Sequence, residues 1–408
     1  MKDSSKSMHQ TMAQSFTIAL TIGSALSIPF VQPASATQFK KLVETGQIIP
    51  GNNRPLVDIK SPTIGRDGQA AVNLETESIE TISQQGSGTD RSQFLGIYSI
   101  SRGGTISLLD KGMFVRIGRG RTIDGFSAPS ISQGKIAYFA FRANIIAGSG
   151  SYDSTLKVGT PGDVKQYPAI TPSLYTGTSP EISFVNGTVY TLETRLNFGL
   201  STGLERIGLI DTKSPSPAFN VLSVSGENRA IRSASQSLIL STKTREGISP
   251  TVYKLFERPN GGQFVQLNPQ GKNPGSCGFA VSFENVVSCS SEGNQYILSA
   301  RFGKKSNFVN LPLPNATTLK SVSDISISNE KIIFKATEQA AAAAIVERIY
   351  LSQKSQVPKV IISSGDKLDG KTIKELTLNE NGRTIADNYV VFIATFSDNS
   401  KALYRVDL

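Results

Sequence analysis

The stretch Val390-Val391-Phe392-Ile393-Ala394-Thr395 repeats, nearly type for type, one found at Ile332-Ile333-Phe334-Lys335-Ala336-Thr337. Both are short, rich in β-branched and aromatic residues and closed by Thr, which reads as a strand buried on both faces. Further copies stand at Ala70 to Thr76, Ile136 to Phe141, Val189 to Thr194, Leu238 to Thr242 and Val286 to Cys289. A pattern that returns seven times along a chain marks a repeat architecture before any other reading is attempted.

The flanks of each copy also repeat. Turn signals precede several of them: Asp67-Gly68, Gln133-Gly134, Asn186-Gly187, Asn329-Glu330 and Asp387-Asn388, the residue types that tolerate a left-handed backbone in a hairpin. A second strand carries an aliphatic-Tyr pair, at Ile97-Tyr98, Val252-Tyr253, Ile349-Tyr350 and Leu403-Tyr404. A fourth strand then leads onward, as at Thr105 to Leu109 and Val357 to Ile362. Four antiparallel strands in about 50 residues make a propeller blade. The chain is therefore expected to be all-β, a seven-bladed β-propeller of four-stranded antiparallel blades. Two stacked sandwiches explain the strands but not their even spacing.

The last unit runs out of chain. After strands near Arg383 to Ala386, Tyr389 to Phe396 and Ala402 to Asp407, the sequence stops at Leu408. The phrase Leu42-Val43-Glu44-Thr45-Gly46 resembles Ile361-Ile362-Ser363-Ser364-Gly365, where the sixth unit ends, and Ser107 to Gly112, where the first ends. Gln38 to Glu44 is thus expected to supply the missing outer strand, because an open ring leaves two unpaired strand edges.

Ahead of that strand, Lys2 and Lys6 precede an apolar run from Phe16 to Val31, and Ala34-Ser35-Ala36 comes after it. A basic start, an apolar centre and a small-x-small site read as a secretory signal over residues 1–36, leaving 37–408 as one propeller domain. The alternative, an uncleaved anchor, meets a run that is short and interrupted by Thr17, Thr21, Ser24 and Ser27. A periplasmic or extracellular, non-membrane-spanning, monomeric protein is the expectation.

The chain carries a formal net charge of +10, and Lys2, Asp3 and Lys6 leave with the signal, so the remainder is +9. Anionic polysaccharide or another envelope protein fits this sign, while export argues against nucleic acid. The single histidine, His9, lies within the signal, and tryptophan is absent. Histidine is the commonest general base and imidazole metal ligand, so Ser-His-Asp or Cys-His catalysis and His-based metal sites are excluded after cleavage. No catalytic residue, metal site or cofactor is assigned.

The C-terminal stretch Gly370 to Ile373, Phe392 to Asp398 and Ala402 to Leu408 resembles an uncharacterised repeat family of exported bacterial β-propellers. The family pattern, a Gly-rich link, an apolar strand and a hairpin ending in Tyr-Arg, is met well in the last and first units. It is met weakly from Pro161 to Asn315, where periodicity carries the reading. Family members often bear sorting tails, which this sequence does not show at Leu408. The resemblance implies a propeller and an envelope address, with no activity to carry over.

Three candidate features remain. Cys277 and Cys289, the only cysteines, fall on the first two strands of the fifth unit if a turn lies at Phe283-Glu284-Asn285, and in an exported protein they read as a disulfide. Arg116, Arg119 and Arg121 cluster in a link between the first two blades. Such a cluster either grips a phosphate or a carboxylate-bearing glycan or is a solvated basic loop. The acids Asp58, Asp67 and Glu75, with Asp366 and Asp369, would have to pair for glycoside hydrolysis; otherwise they are solvated loop acids. Asn379-Glu380-Asn381-Gly382 reads as a turn in preference to a calcium loop with incomplete spacing, and Gln339 to Ala344 as a helical seed or a long hairpin loop. The functional expectation is a non-enzymatic binding or scaffold module of the envelope. The alternatives are a carboxylate-based carbohydrate-active enzyme and a purely structural surface protein.

Overall fold

The structure, a computed structural model, describes residues 38–408 apart from 77–78, 83–88, 93, 118–119, 147–148, 168–180, 196–203, 215–218, 223–226, 235–236, 245–251, 260–262, 294, 315–317, 340–343, 355 and 380–382. The expected signal therefore lies outside the described residues, as do residues 340–343 of the Ala run and residues 380–382 of the turn-like Asn/Glu stretch. Among the described residues there are strands and no helix, hence no helix long and apolar enough to cross a membrane.

The strands form seven antiparallel blades. All seven repeated apolar stretches lie on the second strand of a blade, and most of their described apolar side chains are buried because blades pack on both their faces. Blade 6 shows the plain pattern: Leu319–Ser328, Lys331–Gln339, Ile345–Gln353 and Lys359–Ser363, from the axis outward. In blade 7 the innermost strand comes in two pieces, Lys371–Thr377 and Ile385–Ala386, both paired to Tyr389–Phe396. It thus begins well before Arg383, where the sequence reading starts it. Core residues collect in layers between neighbouring blades. One layer joins Leu42, Val43, Val391 and Leu403 to Leu56, Ile59 and Val72 of blade 1, and the next joins Ile333, Ile349 and Ile362 to Ile373, Val390 and Phe392.

Closure occurs as expected. Gln38–Glu44 neighbours Lys401–Asp407 as the outermost strand of blade 7. The Thr45 N–H donates to the Lys401 carbonyl at 2.8 Å, and the Lys401 N–H donates to Thr45 Oγ1 at 2.9 Å. Blade 6 ends with the same two bonds: Ser364 N–H to the Glu347 carbonyl at 2.8 Å, and Glu347 N–H to Ser364 Oγ at 3.0 Å. The correspondence continues into the next blade. Gly46 N–H bonds the Leu56 carbonyl at 2.7 Å and Leu56 N–H the Gln47 carbonyl at 2.9 Å; Gly365, Ile373 and Asp366 repeat this at 2.8 and 2.9 Å. Gly46 has φ +88° and Gly365 φ +93°, a backbone region that glycine enters without the steric cost of a Cβ. The repeated phrase is therefore a crossover that ends one blade and starts the next.

Between blades 1 and 2 no such crossover forms. The strand Ile106–Ile117 runs through Gly112, which pairs with Leu95, and turns back as Gly120–Phe126. That hairpin joins the two blades in one nine-stranded sheet. The expectation that Gly112 ends the first blade is corrected: Met113-Phe114-Val115 beyond it are strand formers, and the ladder simply continues.

Candidate functional site: the axial mouth

In the six blades where the connection is described, the first two strands are joined by a tight turn, and these turns lie toward the axis. There lies a cavity of about 510 Å³. Turn residues of blades 1, 2, 3 and 5 line it, with inner-strand residues of blades 6 and 7, while residues 235–236 of blade 4 lie outside the described residues. The turn chemistry is the one anticipated: Gln133, Asn186, Asn329 and Asp387 have φ between +50° and +53°, and short polar side chains suit that region.

Beneath the turns the innermost strands face each other without a backbone ladder, so their N–H groups need other partners. Serines provide them. Ser130 Oγ accepts from the Phe184 N–H at 3.0 Å and Ser132 Oγ from Asn186 at 3.1 Å, joining blade 2 to blade 3. Ser326 Oγ accepts from Thr384 and Ile385, and Ser328 Oγ from Asp387 at 2.8 Å, joining blade 6 to blade 7. The sequence carries a signal for these seams that its reading missed, a Ser-Ile-Ser tripeptide at the same position in both blades.

Arg383 of blade 7 crosses the floor. Its Nη1 donates to the Phe184 carbonyl at 2.8 Å and its Nη2 to Ser183 Oγ at 2.7 Å, on blade 3. Arg66, in the blade 1 turn, is exposed and holds its Cζ 3.9 Å from the ring centroid of Phe283. Phe283 sits in the blade 5 turn, which stands opposite blade 1 in a ring of seven. Nothing in sequence spacing announces a contact between residues so far apart.

The acids named from the sequence do not meet at this mouth. Asp67 alone among them lines it, and its Oδ1 accepts from the Gln69 N–H. Asp58 and Glu75 are cross-strand neighbours, but Lys60 bridges both and Lys401 reaches Asp58 at 2.7 Å. Burial pushes the Asp58 carboxyl up, yet hydrogen bonding and charge from Lys401 and Lys60 hold it below its ordinary value. A general acid needs the opposite shift, so this pair is an ion-pair cluster joining blades 7 and 1. Asp369 accepts from the Tyr404 hydroxyl at 2.9 Å and pairs with Lys41; Asp366 accepts from the Ser363 N–H at the crossover. Among the described residues no three His, Cys, Asp or Glu side chains gather as a metal would require.

Cys277 and Cys289 form the disulfide, with Cα atoms 5.2 Å apart, though not in the expected register. The turn is two residues, Phe283-Glu284, so Gly278 and not Cys277 lies opposite Cys289. A bulge between Pro274 and Gly278, with Gly278 at φ +125°, brings Cys277 alongside. Arg116 and Arg121 are backbone partners in the hairpin between blades 1 and 2; Arg119 lies outside the described residues.

The chain matches no protein-family model and no curated protein sequence. Among solved structures it is similar to the β-propeller domain of the Trilobed protease from Pyrococcus furiosus, at 12% identity and TM-score 0.52, covering 87% of this chain and 95% of that one. That propeller is described as having an open velcro topology, whereas here Gln38–Glu44 completes the last blade. A structure from a study of two prolyl endopeptidases is similar at 12% identity and TM-score 0.50, over 86% of this chain and 50% of that one. This chain thus spans about half of that peptidase's length. Likeness at this identity shows the fold alone.

Proposed function

We propose that this chain is an exported, non-enzymatic binding module of the bacterial cell envelope, and that the axial mouth is where it takes an anionic glycan or cell-surface polymer. The observation that carries the reading is the composition of the mouth among the described residues: two guanidinium groups, Arg66 and Arg383, against the single carboxylate of Asp67. Hydrolysis of a glycoside by two carboxylates needs a pair within roughly 5–10 Å of each other, and the described lining offers one carboxylate. Histidine is missing from residues 37–408, which removes the usual alternative base. Export rests on the basic, apolar, small-residue order of residues 1–36, and the Cys277–Cys289 disulfide accords with an oxidising compartment. The resemblance to exported repeat propellers supports the same address.

The test is capture by the purified protein of acidic polysaccharide from cell walls or capsules, with the soluble phase then analysed. Retention of intact polymer supports a binding module. Soluble oligosaccharide with new reducing ends would overturn it in favour of a carbohydrate-active enzyme.

A further inference from the structure

Phe283 is the one aromatic among the described non-glycine residues with positive φ, at +55°. The turns around it use Gln133, Asn186, Asn329 and Asp387. A bulky side chain in the left-handed region is strained, and such strain persists where the surroundings hold it, often at a ligand site. Phe283 is only half-buried, so core packing does not account for it. What it does is carry Arg66 across the mouth. A guanidinium seated over a ring is fixed in place while its N–H edge stays open to acceptors. Among the described residues Arg66 forms no ion pair; its ring contact is the interaction it makes.

We infer that Arg66 and Phe283 form the grip for one acidic-sugar residue, a pyranose carrying a carboxylate, at the axial mouth. This rests on the binding-module reading above and names the ligand unit. The carboxylate is taken bidentately by Arg66, and the apolar face of the sugar ring lies along Phe283. The amides of Gln133 and Asn186, already 3.3 Å apart at the rim, offer donors and acceptors to hydroxyls. Asp67 beside Arg66 accepts a further hydroxyl and repels a second carboxylate, which limits the unit to one negative charge. The cavity volume of about 510 Å³ lies in the usual range for small-ligand sites of roughly 300–1,000 Å³. An acidic peptide is the weaker fit. Peptides commonly add to a free strand edge, and the inner-strand N–H groups of Phe184, Asn186, Ile385 and Asp387 are already taken by serines.

The test is calorimetric titration of the purified protein with trigalacturonate, its methyl-esterified neutral counterpart and an acidic tripeptide. The wild type and the variants Arg66→Gln and Phe283→Asn are compared. Expected is selective binding of the trigalacturonate, weakened about tenfold or more by Arg66→Gln, since a charge-assisted bidentate contact is lost. Phe283→Asn should weaken it several-fold while the melting temperature holds or rises, because Asn suits the left-handed turn. A purely structural Phe283 would leave affinity unchanged. Equal binding of the neutral sugar, preference for the peptide, or unaltered affinity in both variants overturns the grip. If polymer is still captured in those cases, the binding-module reading stands without it. If no acidic polymer is captured, that reading falls first.

Discussion

The crossover into blade 1 and the crossover into blade 7 are chemically the same, and the link into blade 2 is different although its sequence begins alike. All three place two apolar residues a few positions before a glycine. At Thr45-Gly46 and Ser364-Gly365 a hydroxyl precedes the glycine and accepts from the third strand of the same blade. The glycine then turns at positive φ and bonds to the next inner strand. At Lys111-Gly112 the preceding residue has no short hydroxyl, and strand formers come next, so Gly112 stays in the ladder. The turn is written by the hydroxyl-glycine pair and by the residues after it, while an apolar-glycine phrase alone leaves the strand free to run on.

Removing residues 37–45 is the harshest way to break the comparison. Leu42 and Val43 are buried between blades 7 and 1, each contributing about 1.5–3 kcal/mol, and Lys401–Asp407 would be left as a bare edge. The truncated protein is expected to aggregate or to melt several degrees lower in calorimetry; one as stable and monomeric as the parent would refute closure by this strand.

Gly46→Ala and Gly365→Ala should come next, with nearly equal losses of about 1–2 kcal/mol each from backbone strain. A Cβ added at either site would meet no atom within 4 Å, so a clash adds nothing and urea denaturation reads the strain alone. Unequal losses would mean that the two crossovers are not energetically equivalent. Thr45→Ala and Ser364→Ala should each cost about 1 kcal/mol, the net worth of one hydrogen bond.

Acid should separate the two crossovers more gently. Glu44, just before Thr45, is held below its ordinary carboxyl value near 4.5, first by its hydrogen bond to Lys371 and then by Lys41. The equivalent residue before Ser364 is Ser363, which does not titrate. A depressed folded-state value means that Glu44 stabilises the fold above about pH 4.5 and that this contribution fades as pH falls through the lowered value. Hydrogen exchange below about pH 4 should therefore show Gln38–Glu44 opening before Lys359–Ser363. The reverse order would remove Glu44 as the clasp.

The blade number and the closing strand were legible because both are local patterns: period-two strands, turn residues suited to a left-handed backbone and an apolar-glycine phrase. The disulfide pair was legible but its register was not, since a two-residue turn and a bulge each shift pairing by a single position and leave little trace in spacing. The Ser-Ile-Ser seams were legible in principle, as two identical tripeptides at one blade position. The mouth was not. Arg66, Phe283 and Arg383 belong to blades 1, 5 and 7, and only the ring brings them together. The acids that sequence favours are neighbours in chain or strand, and the structure binds most of them to lysines or to nearby backbone N–H groups.

The equivalence of the two crossovers makes the ring indifferent to where its chain begins. Cutting blade 6 between its third strand, ending at Gln353, and its outer strand, starting at Lys359, and linking Leu408 to Gln38 would move the break from blade 7 to the same place in blade 6. Since chain breaks are best tolerated where both new ends can dock as the old ones did, such a circular permutant should fold to the same propeller. A gene for this architecture can accordingly be rotated between the two blades that end in the hydroxyl-glycine pair without redesigning either.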